Sequence, residues 1–320
     1  MKKLILIDGN ALLHRAFHAY PPFTTPSGEL VGAVYGFTTL LFSVIEKLSP
    51  THIVVAWDVK GETFRKKEFA EYKAQRGPMD ESLVSQIERT KEMVAALNIP
   101  QYGIEGYEAD DIIGTIAMVA SQRTQETLPA GRQVKDSRTQ DIDVQVIIVT
   151  GDRDALQLID GKRVVVYLPV QNKYAQSVVF DEEKFKEVYG LDPMQIVDLK
   201  GLMGDSSDNI PGVKGVGKVT ATQLVKDFGS VEEIYKNINS DKIKPRTRQL
   251  LLDDKEMGIK SRSLAEIYRK VPLEFDWDKC LLSDYDKAKV VDLLTKLDFK
   301  SLINRLPEEK FEKDVVDIFV

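Results

Sequence analysis

Apolar residues come in short runs along the first half of this chain, and each early run stops at an acid. Leu4-Ile5-Leu6-Ile7 ends at Asp8, and Ile53-Val54-Val55-Ala56-Trp57 ends at Asp58. Val146-Ile147-Ile148-Val149-Thr150 is followed by Gly151 and Asp152. Short runs rich in Ile and Val, bounded by polar residues, predict buried β-strands. Strands are expected over 3–8, 53–57, 144–150 and 163–168. Between them the period lengthens. Residues 32–48 predict a helix, and Asp80 predicts the cap of another, with Leu83, Ile87, Val94 and Leu97 on one face and Pro100 just past its end. Strands alternating with helices predict an α/β fold with a mainly parallel central sheet flanked by helices.

Two changes of character divide the chain. Residues 121–143 hold few apolar residues and no period, and Arg-Thr-Gln occurs twice, at 123–125 and 138–140, which predicts an exposed or disordered inserted loop. From about residue 190 helices take over. Asp192-Pro193 opens one, Lys218 to Asp227 forms another, and 247–270 and 284–304 hold more. The expected domains are therefore an α/β unit over 1–188 and a helical unit over 189–306. Residues 307–320, with Pro307 and the charged Glu308 to Asp314, read as a tail or linker.

Nine acids occupy positions where bare carboxylates are costly. Asp8, Asp58, Asp152 and Asp154 follow predicted strands; Glu108, Asp110 and Asp111 crowd the start of an apolar helix; Asp205 and Asp208 precede a Gly-rich turn. In an open α/β sheet the ligand crevice lies at the carboxyl ends of the strands. Carboxylates converging there repel one another unless cations sit among them or some stay protonated. The economical reading is a hard-metal site of oxygen ligands, suited to two-metal hydrolysis of a phosphodiester. The helix holds Asp110 between neighbouring acids, a position from which it can bridge two ions.

Composition narrows the chemistry. The chain has 320 residues, 43% of them hydrophobic and 29% charged, as in an ordinary globular protein. One cysteine, Cys280, rules out an internal disulfide and suits a reducing cytoplasm. With three histidines (His14, His18, His52), Mg²⁺ or Mn²⁺ fits better than zinc. Asp8 interrupts the first apolar run too early for a signal peptide, and Ile112 to Ala120, the longest apolar stretch, is too short to span a membrane. The net charge of −6 argues against a nucleic-acid partner until the acid cluster is considered, since two divalent ions would bring it to about −2.

Basic segments supply the missing partner. Lys60, Arg65, Lys66, Lys67, Lys73 and Arg76 interleave with Phe64, Phe69 and Tyr72, a mixture suited to single-stranded nucleic acid. Lys73 and Arg76 stand where they can be carried over the metal site to meet the scissile phosphate. Arg15 and Tyr20, in the His-, Arg- and aromatic-rich segment after Asp8, are candidate DNA contacts, though a packed helix explains them equally well. Gly212-Val213-Lys214-Gly215-Val216-Gly217, followed by Lys218, has the form of a helix-hairpin-helix turn, in which backbone amides grip a duplex without reading its sequence. Lys242, Lys244, Arg246 and Arg248 form a further run with no acid among them.

At these residues the chain closely resembles the 5′-nuclease (5′-3′ exonuclease) domain of bacterial DNA polymerase I, in the flap endonuclease family. The stretches that carry the resemblance are Leu6-Ile7-Asp8-Gly9-Asn10, Ala56-Trp57-Asp58, Thr63-Phe64-Arg65, Tyr72-Lys73-Ala74-Gln75-Arg76, Gly106-Tyr107-Glu108-Ala109-Asp110-Asp111, Thr150-Gly151-Asp152-Arg153-Asp154 and the run from Gly204 to Val213. The resemblance implies a PIN-like core with a helical arch and a C-terminal helix-hairpin-helix subdomain. It implies a structure-specific nuclease using two Mg²⁺, with Mn²⁺ as a substitute. Such an enzyme cuts 5′ flaps and removes 5′ nucleotides, RNA primers included, leaving a 5′-phosphate and a 3′-hydroxyl. Asp8, Asp58, Glu108, Asp110 and Asp111 match the family's first metal cluster, and Asp152, Asp154, Asp205 and Asp208 its second. Lys73 and Arg76 match its catalytic basic residues, with Asp110 counted among the catalytic groups. The hairpin, Gly212, Lys214, Gly215, Gly217 and Lys218, matches its duplex-binding turn, which can hold K⁺ against a phosphate. Phe64, Arg65, Lys66 and Tyr72 become candidate DNA contacts. A monomer working with a DNA polymerase, in the cytoplasm and at the nucleoid, is expected.

The inserted loop departs from the family pattern, as does Lys218-Val219-Thr220 where Glu-Lys-Thr is common. No polymerase follows by residue 320, so the sequence is either a free-standing nuclease or the N-terminal part of a longer polymerase. The rival readings are a non-catalytic junction-binding module, disfavoured because no acid is missing, and a smaller RNA nuclease of the PIN type, disfavoured by the hairpin.

Overall fold

A computed structural model describes residues 1–122, 144–169, 177–282 and 285–307. The inserted loop from residue 123 and the tail from residue 308 lie outside the described residues. Six strands form one sheet: β1 (Lys2–Asp8), β2 (His52–Ala56), β3 (Gln101–Tyr102), β4 (Val144–Val149), β5 (Val164–Leu168) and β6 (Val178–Phe180). The helices of the first half are α1 (Gly9–Ala19), α2 (Gly32–Leu48), α3 (Phe64–Glu68), α4 (Glu81–Ala96) and α5 (Ala109–Ser121). Those of the second half are α6 (Glu182–Tyr189), α7 (Gln195–Met203), α8 (Lys218–Phe228), α9 (Val231–Lys236), α10 (Pro245–Asp253), α11 (Lys255–Ala265), α12 (Lys287–Lys296) and α13 (Lys300–Ile303).

The sheet order is β3-β2-β1-β4-β5-β6, parallel except for β6. β1 is central, with Ile7 level with Val55 on one side and Val149 on the other. The chain runs outward from β1 to β3, then returns to β4 on the opposite side of β1. The carboxyl ends of β1, β2 and β4 therefore meet at the switch point where such sheets open a crevice. Side chains alternate across the sheet. Leu4, Leu6, Val54, Ala56, Val146 and Ile148 face α5 and the helical half, whereas Ile5, Ile7, Ile53, Val55, Ile147 and Val149 face α1, α2 and α4. Full burial of each such side chain contributes about 1.5–3 kcal/mol. At the edge of the crevice Gly9 is required, because a Cβ there would sit 2.5 Å from the Trp57 ring. Without it, α1 could not start so close to β2.

The second half divides differently from the sequence expectation. α7 to α10 share one apolar core with the sheet face carrying Leu4 and Leu6, while Leu264 and Ala265 of α11 pack with Tyr72, Val197 and Ile210. The last two helices instead cross back. Val290, Leu294, Phe299 and Leu302 pack with α2 and α4 on the other face, and the Tyr35 Oη and Ser301 Oγ hydroxyls lie 3.1 Å apart. The apolar period of 284–304 predicts a buried face but not what buries it, so grouping these helices with the 189–306 unit fails for packing.

A third connection is polar. Residues 264–271, at and after the end of α11, are held by four buried side chains of the first half. Arg65 donates to the carbonyls of Leu264 (3.1 Å) and Glu266 (2.6 Å). Gln157 donates to Ala265 O and accepts from Ile267 N; Asp111 accepts from Tyr268 N and Thr115 from Val271 N. Buried backbone polar groups need partners, and here those partners come from α3, α5 and the turn after β4.

Candidate metal centre and nucleic-acid interface

The acids line a cleft of about 1530 Å³ at the carboxyl ends of the strands. Asp8, Asp58, Glu108, Asp110, Asp152, Asp154 and Asp205 border it, together with Lys73, Arg76, Lys200 and Lys218. Asp8 ends β1, caps α1 by accepting from Ala11 N (2.9 Å), and accepts from Thr150 Oγ1 (2.9 Å). Asp58 accepts from Ala109 N (2.7 Å), which ties the end of β2 to the start of α5. Asn10 Oδ1 in turn accepts from Asp58 N. After β4, Asp152 takes the amide of Asp154. Local capping chemistry thus fixes each acid at the end of its own element.

Their electrostatics show a shared field. Burial, followed by the charges of Asp8 and Asp152, holds the Asp110 carboxyl well above the ordinary range. Burial and then Asp58 push Asp8 up to about 6, against the hydrogen bond from Ala11. Burial and then Asp152 push Asp154 up to about 6. Asp110 Oδ1 is buried and has no hydrogen-bond partner. A buried carboxylate oxygen without a donor, among acids that raise one another's pKa, fits a divalent cation better than any protein donor present. Among the described residues no three acids converge on one point as metal ligands do. The donor set fits the hard cations expected from sequence, but the acids share a cleft rather than a closed cage.

Cations of the protein stand between them. Lys73 Nζ reaches Glu108 Oε2 (2.9 Å) and Asp208 Oδ2 (3.8 Å), and Arg76 Nη2 reaches Asp208 Oδ1 (2.5 Å). Burial presses the Lys73 ammonium down, yet Glu108 and Asp208 hold it above its usual value. Its backbone is left-handed, φ 54°, and its amide donates to Asp208 O (2.9 Å). A non-glycine residue in that region costs about 1–3 kcal/mol, so the docking against residue 208 over-determines it. Gln75 donates to the carbonyls of Ser206 and Ser207, and Asn209 donates to Glu71 O. The basic segment is therefore seated directly on the Asp205–Asp208 turn.

Lys200 was not among the sequence candidates. It lies on α7 and contacts Asp154 and Asp205, bridging acids 51 positions apart in the chain. Burial works against Asp205 ionising, yet Lys200 and Ser207 keep its pKa below the usual range. The signal was present: a lone lysine among Ile196, Val197, Leu199 and Leu202, five residues before Asp205.

Four sequence expectations need correction. Arg65 is not a DNA contact: it is 3% exposed and makes a two-pronged pair with Asp111 (2.7 and 2.8 Å). Asp111 is not an available metal ligand: it is 0% exposed, and its oxygens take Arg65, the Glu108 amide (3.1 Å) and the Tyr268 amide (2.8 Å). Tyr72 offers no face for base stacking, because it is buried with its hydroxyl donating to Glu108 and Asp208. Phe64 packs against Tyr107 and Tyr268. In each case an aromatic or charged residue that looks solvent-facing in sequence finds a partner far along the chain.

The remaining candidates are mixed. Arg15 lines the cleft and donates to Pro169 O (3.2 Å). Tyr20 packs edge-on to Tyr35, away from the cleft lining, and Lys66 is exposed on α3. Lys214, Gly215, Gly217 and Lys218 are exposed, and Gly212 is buried. Gly212 has φ 67°, and a Cβ there would lie 2.2 Å from the Gly204 amide nitrogen, so only glycine lets the hairpin close onto the Asp205 turn. The amides of Gly212, Val213, Lys214 and Val216 are taken by Ser261, Leu202, Asp254 and Val213. Among the described residues the amides of Gly215 and Gly217 take no such partner.

Comparison with known proteins agrees with this geometry. The family model of the 5′-3′ exonuclease N-terminal resolvase-like domain matches residues 3–190, and that of the 5′-3′ exonuclease C-terminal SAM fold matches residues 191–288. DNA polymerase I of Caldicellulosiruptor bescii is 40% identical over 306 residues, covering 95% of this chain and 33% of that protein. DNA polymerase I of Bacillus subtilis is 38% identical over 314 residues, covering 98% and 33%. The chain thus spans about a third of the length of these relatives. The structure of T5 5′-exonuclease with bound zinc superposes with a TM-score of 0.62 at 22% identity, covering 96% of this chain and all of that one. The catalytic core of Rad2 with a DNA substrate superposes at 0.58 and 14% identity, covering 92% and 88%. These two likenesses concern the fold. With both family models matched in order and nearly the whole chain aligned to the polymerase I relatives, the chain belongs to the 5′-3′ exonuclease family.

Proposed function

We propose that this protein is a structure-specific 5′ nuclease, acting as a 5′-3′ exonuclease and flap endonuclease on DNA during primer removal and repair. The observation that carries the reading is the cleft itself: seven of the nine clustered acids border it, Asp110 Oδ1 is orphaned within it, and Lys73 and Arg76 stand at its edge.

Asp8, Asp58, Glu108 and Asp110 would hold one divalent cation, and Asp152, Asp154, Asp205 and Asp208 the other, with Asp110 between the two groups. Two Mg²⁺, or Mn²⁺ in their place, would supply Lewis acidity and neutralise the acids. The chain's own residues position the substrate. Lys73 and Arg76, released from Glu108 and Asp208, would meet the oxygens of the scissile phosphate and stabilise their developing charge. The oxygen of a water attacks phosphorus, the bond to O3′ breaks with its electron pair, and O3′ takes a proton. The products are a 5′-phosphate and a 3′-hydroxyl. Arg15, on the cleft wall, would take a neighbouring phosphate. The hairpin would hold duplex through the amides of Gly215 and Gly217 and through Lys214 and Lys218, and K⁺ bound at this turn would supply further positive charge. The polymerase I relatives support a polymerase as working partner, either as a separate chain or in continuation of this one.

A 5′-labelled flap should be cut near its junction in Mg²⁺ and left intact in EDTA. Asp110→Asn should lower kcat by at least about 100-fold, the scale of losing a principal electrostatic group. Cleavage that persists in EDTA, or an Asp110→Asn variant as fast as the parent, refutes the metal-dependent reading.

A further inference from the structure

The run Lys242, Lys244, Arg246 and Arg248 has no role in the site described above. The structure separates its members. Arg248 is half-buried, and its guanidinium donates to the carbonyls of Ser240 and Ile243. Ile243 is 1% exposed and belongs to the main core. Ser240 N donates to Asn237 O, and Ile243 N to Ser240 O. Arg248 and Ile243 thus pin the loop from inside, which leaves Lys242, Lys244 and Arg246 exposed on its outer side. Among the described residues none of these three forms an ion pair. Elsewhere on this surface cations are commonly paired, as Lys184, Lys186, Lys236 and Lys296 are.

The patch lies beside the hairpin. Gly215 packs against Leu250 of α10, where an added Cβ would meet Cδ1 at 3.2 Å, and the Lys214 amide donates to Asp254 at the end of the same helix (2.8 Å). Lys244 is the residue before Pro245, at the other end of α10. Six residues of helix separate Lys244 from Leu250, about 9 Å at the helical rise. A duplex carries a phosphate charge about every 1.7 Å along its axis, so one gripped by the hairpin presents several phosphates within that distance. Three unpaired cations on a pinned loop match a rigid polyanion running past.

Resting on the nuclease reading above, we propose that Lys242, Lys244 and Arg246 form a second contact to the backbone of the duplex that the hairpin holds. The patch lengthens the grip along the duplex and raises affinity for flaps that carry duplex, without reading sequence.

The test compares the Kd of a flap carrying about three helical turns of duplex with that of a single strand of the same length, both in EDTA. In the Lys242→Ala/Lys244→Ala/Arg246→Ala variant, Kd for the flap should rise about 10-fold relative to the single strand, and the slope of log affinity against log salt for the flap should become shallower by about 2–3. A variant whose flap affinity and salt slope both match the parent overturns the proposal. An equal rise on both ligands also overturns it, because the patch then grips single strand rather than duplex. Should the triple variant not fold, Lys242→Gln/Arg246→Gln is measured the same way and read by the same outcomes. The two readings fail separately: a parent that does not cut the flap in Mg²⁺ sinks the nuclease assignment, whereas a parent that cuts it beside a variant of unaltered affinity sinks only the patch.

Discussion

At the scale of single residues, the acids of the cleft act against the stability of the fold that holds them. Asp8 and Asp154 are ordinary carboxyls in an unfolded chain but titrate near 6 when folded, chiefly because of burial. The folded state then binds protons more readily than the unfolded one, so stability is lost as pH rises from about 4 through 6. A shift of that size corresponds to about 3 kcal/mol for Asp8 alone. Divalent cations binding only the folded state reverse the loss. In thermal melts, Mg²⁺ should therefore raise the melting temperature more at pH 7.5 than at pH 5; an equal gain at both would mean that these carboxyls do not meet the metal. For the same reason Asp110→Asn should raise the melting temperature in EDTA while abolishing cleavage, since it removes a buried charge that two neighbours oppose.

Lys200 is the residue-scale lesson in legibility. Its position within α7 is local, but its partners Asp154 and Asp205 come from different elements. Lys200→Ala leaves both acids without their protein counter-charge. Without that competing ammonium the variant should reach half-maximal cleavage at several-fold less Mg²⁺, yet lose about 10-fold or more in kcat through the missing charge near the reacting phosphate. A titration in which neither changes removes Lys200 from the site.

Among elements, the informative part is the join between α3, α5 and residues 264–271. Arg65 and Asp111 meet there in full burial, and Asp111 also takes the Glu108 amide. The pair holds the start of α5, and with it Glu108 and Asp110, against the end of α11. Truncating one partner of a buried pair leaves the other uncompensated, at a cost of about 3–5 kcal/mol. Arg65→Ala should lower the unfolding free energy measured in urea by that amount, whereas Lys66→Ala, one residue away and exposed, should leave it within about 0.5 kcal/mol. Comparable effects of the two would mean that Arg65 is a surface residue after all. The sequence placed α2 and α4 closely, because a cap and a 3.6-residue period are local signals. It left the basic segment after Asp58 without a period, since α3 is too short to repeat one.

Over the whole molecule, the helical half shares a core with the sheet through Ile112, Leu156, Leu199, Leu202 and Val225, and the polar clamp lies beside that core. α12 and α13 return to the opposite face of the sheet. Both faces of the sheet are thus closed by the second half. Unfolding in urea should be a single transition, with fluorescence and circular dichroism midpoints coinciding; two separated midpoints would show that the halves are independent.

The sequence by itself determined the parallel sheet, the strand-end placement of Asp8, Asp58 and Asp152, the helix-start placement of Glu108 and Asp110, and the glycine hairpin. Each follows from spacing within a few residues: alternation, a cap, a turn. Only the tertiary structure decided which charges face the cleft and which are spent inside the protein. Arg65 and Arg76 look alike in sequence, yet one is fixed by Asp111 and the carbonyls of Leu264 and Glu266, and the other opens onto the cleft. Burial and pairing are set by partners up to about 200 residues away, and no local pattern carries that information.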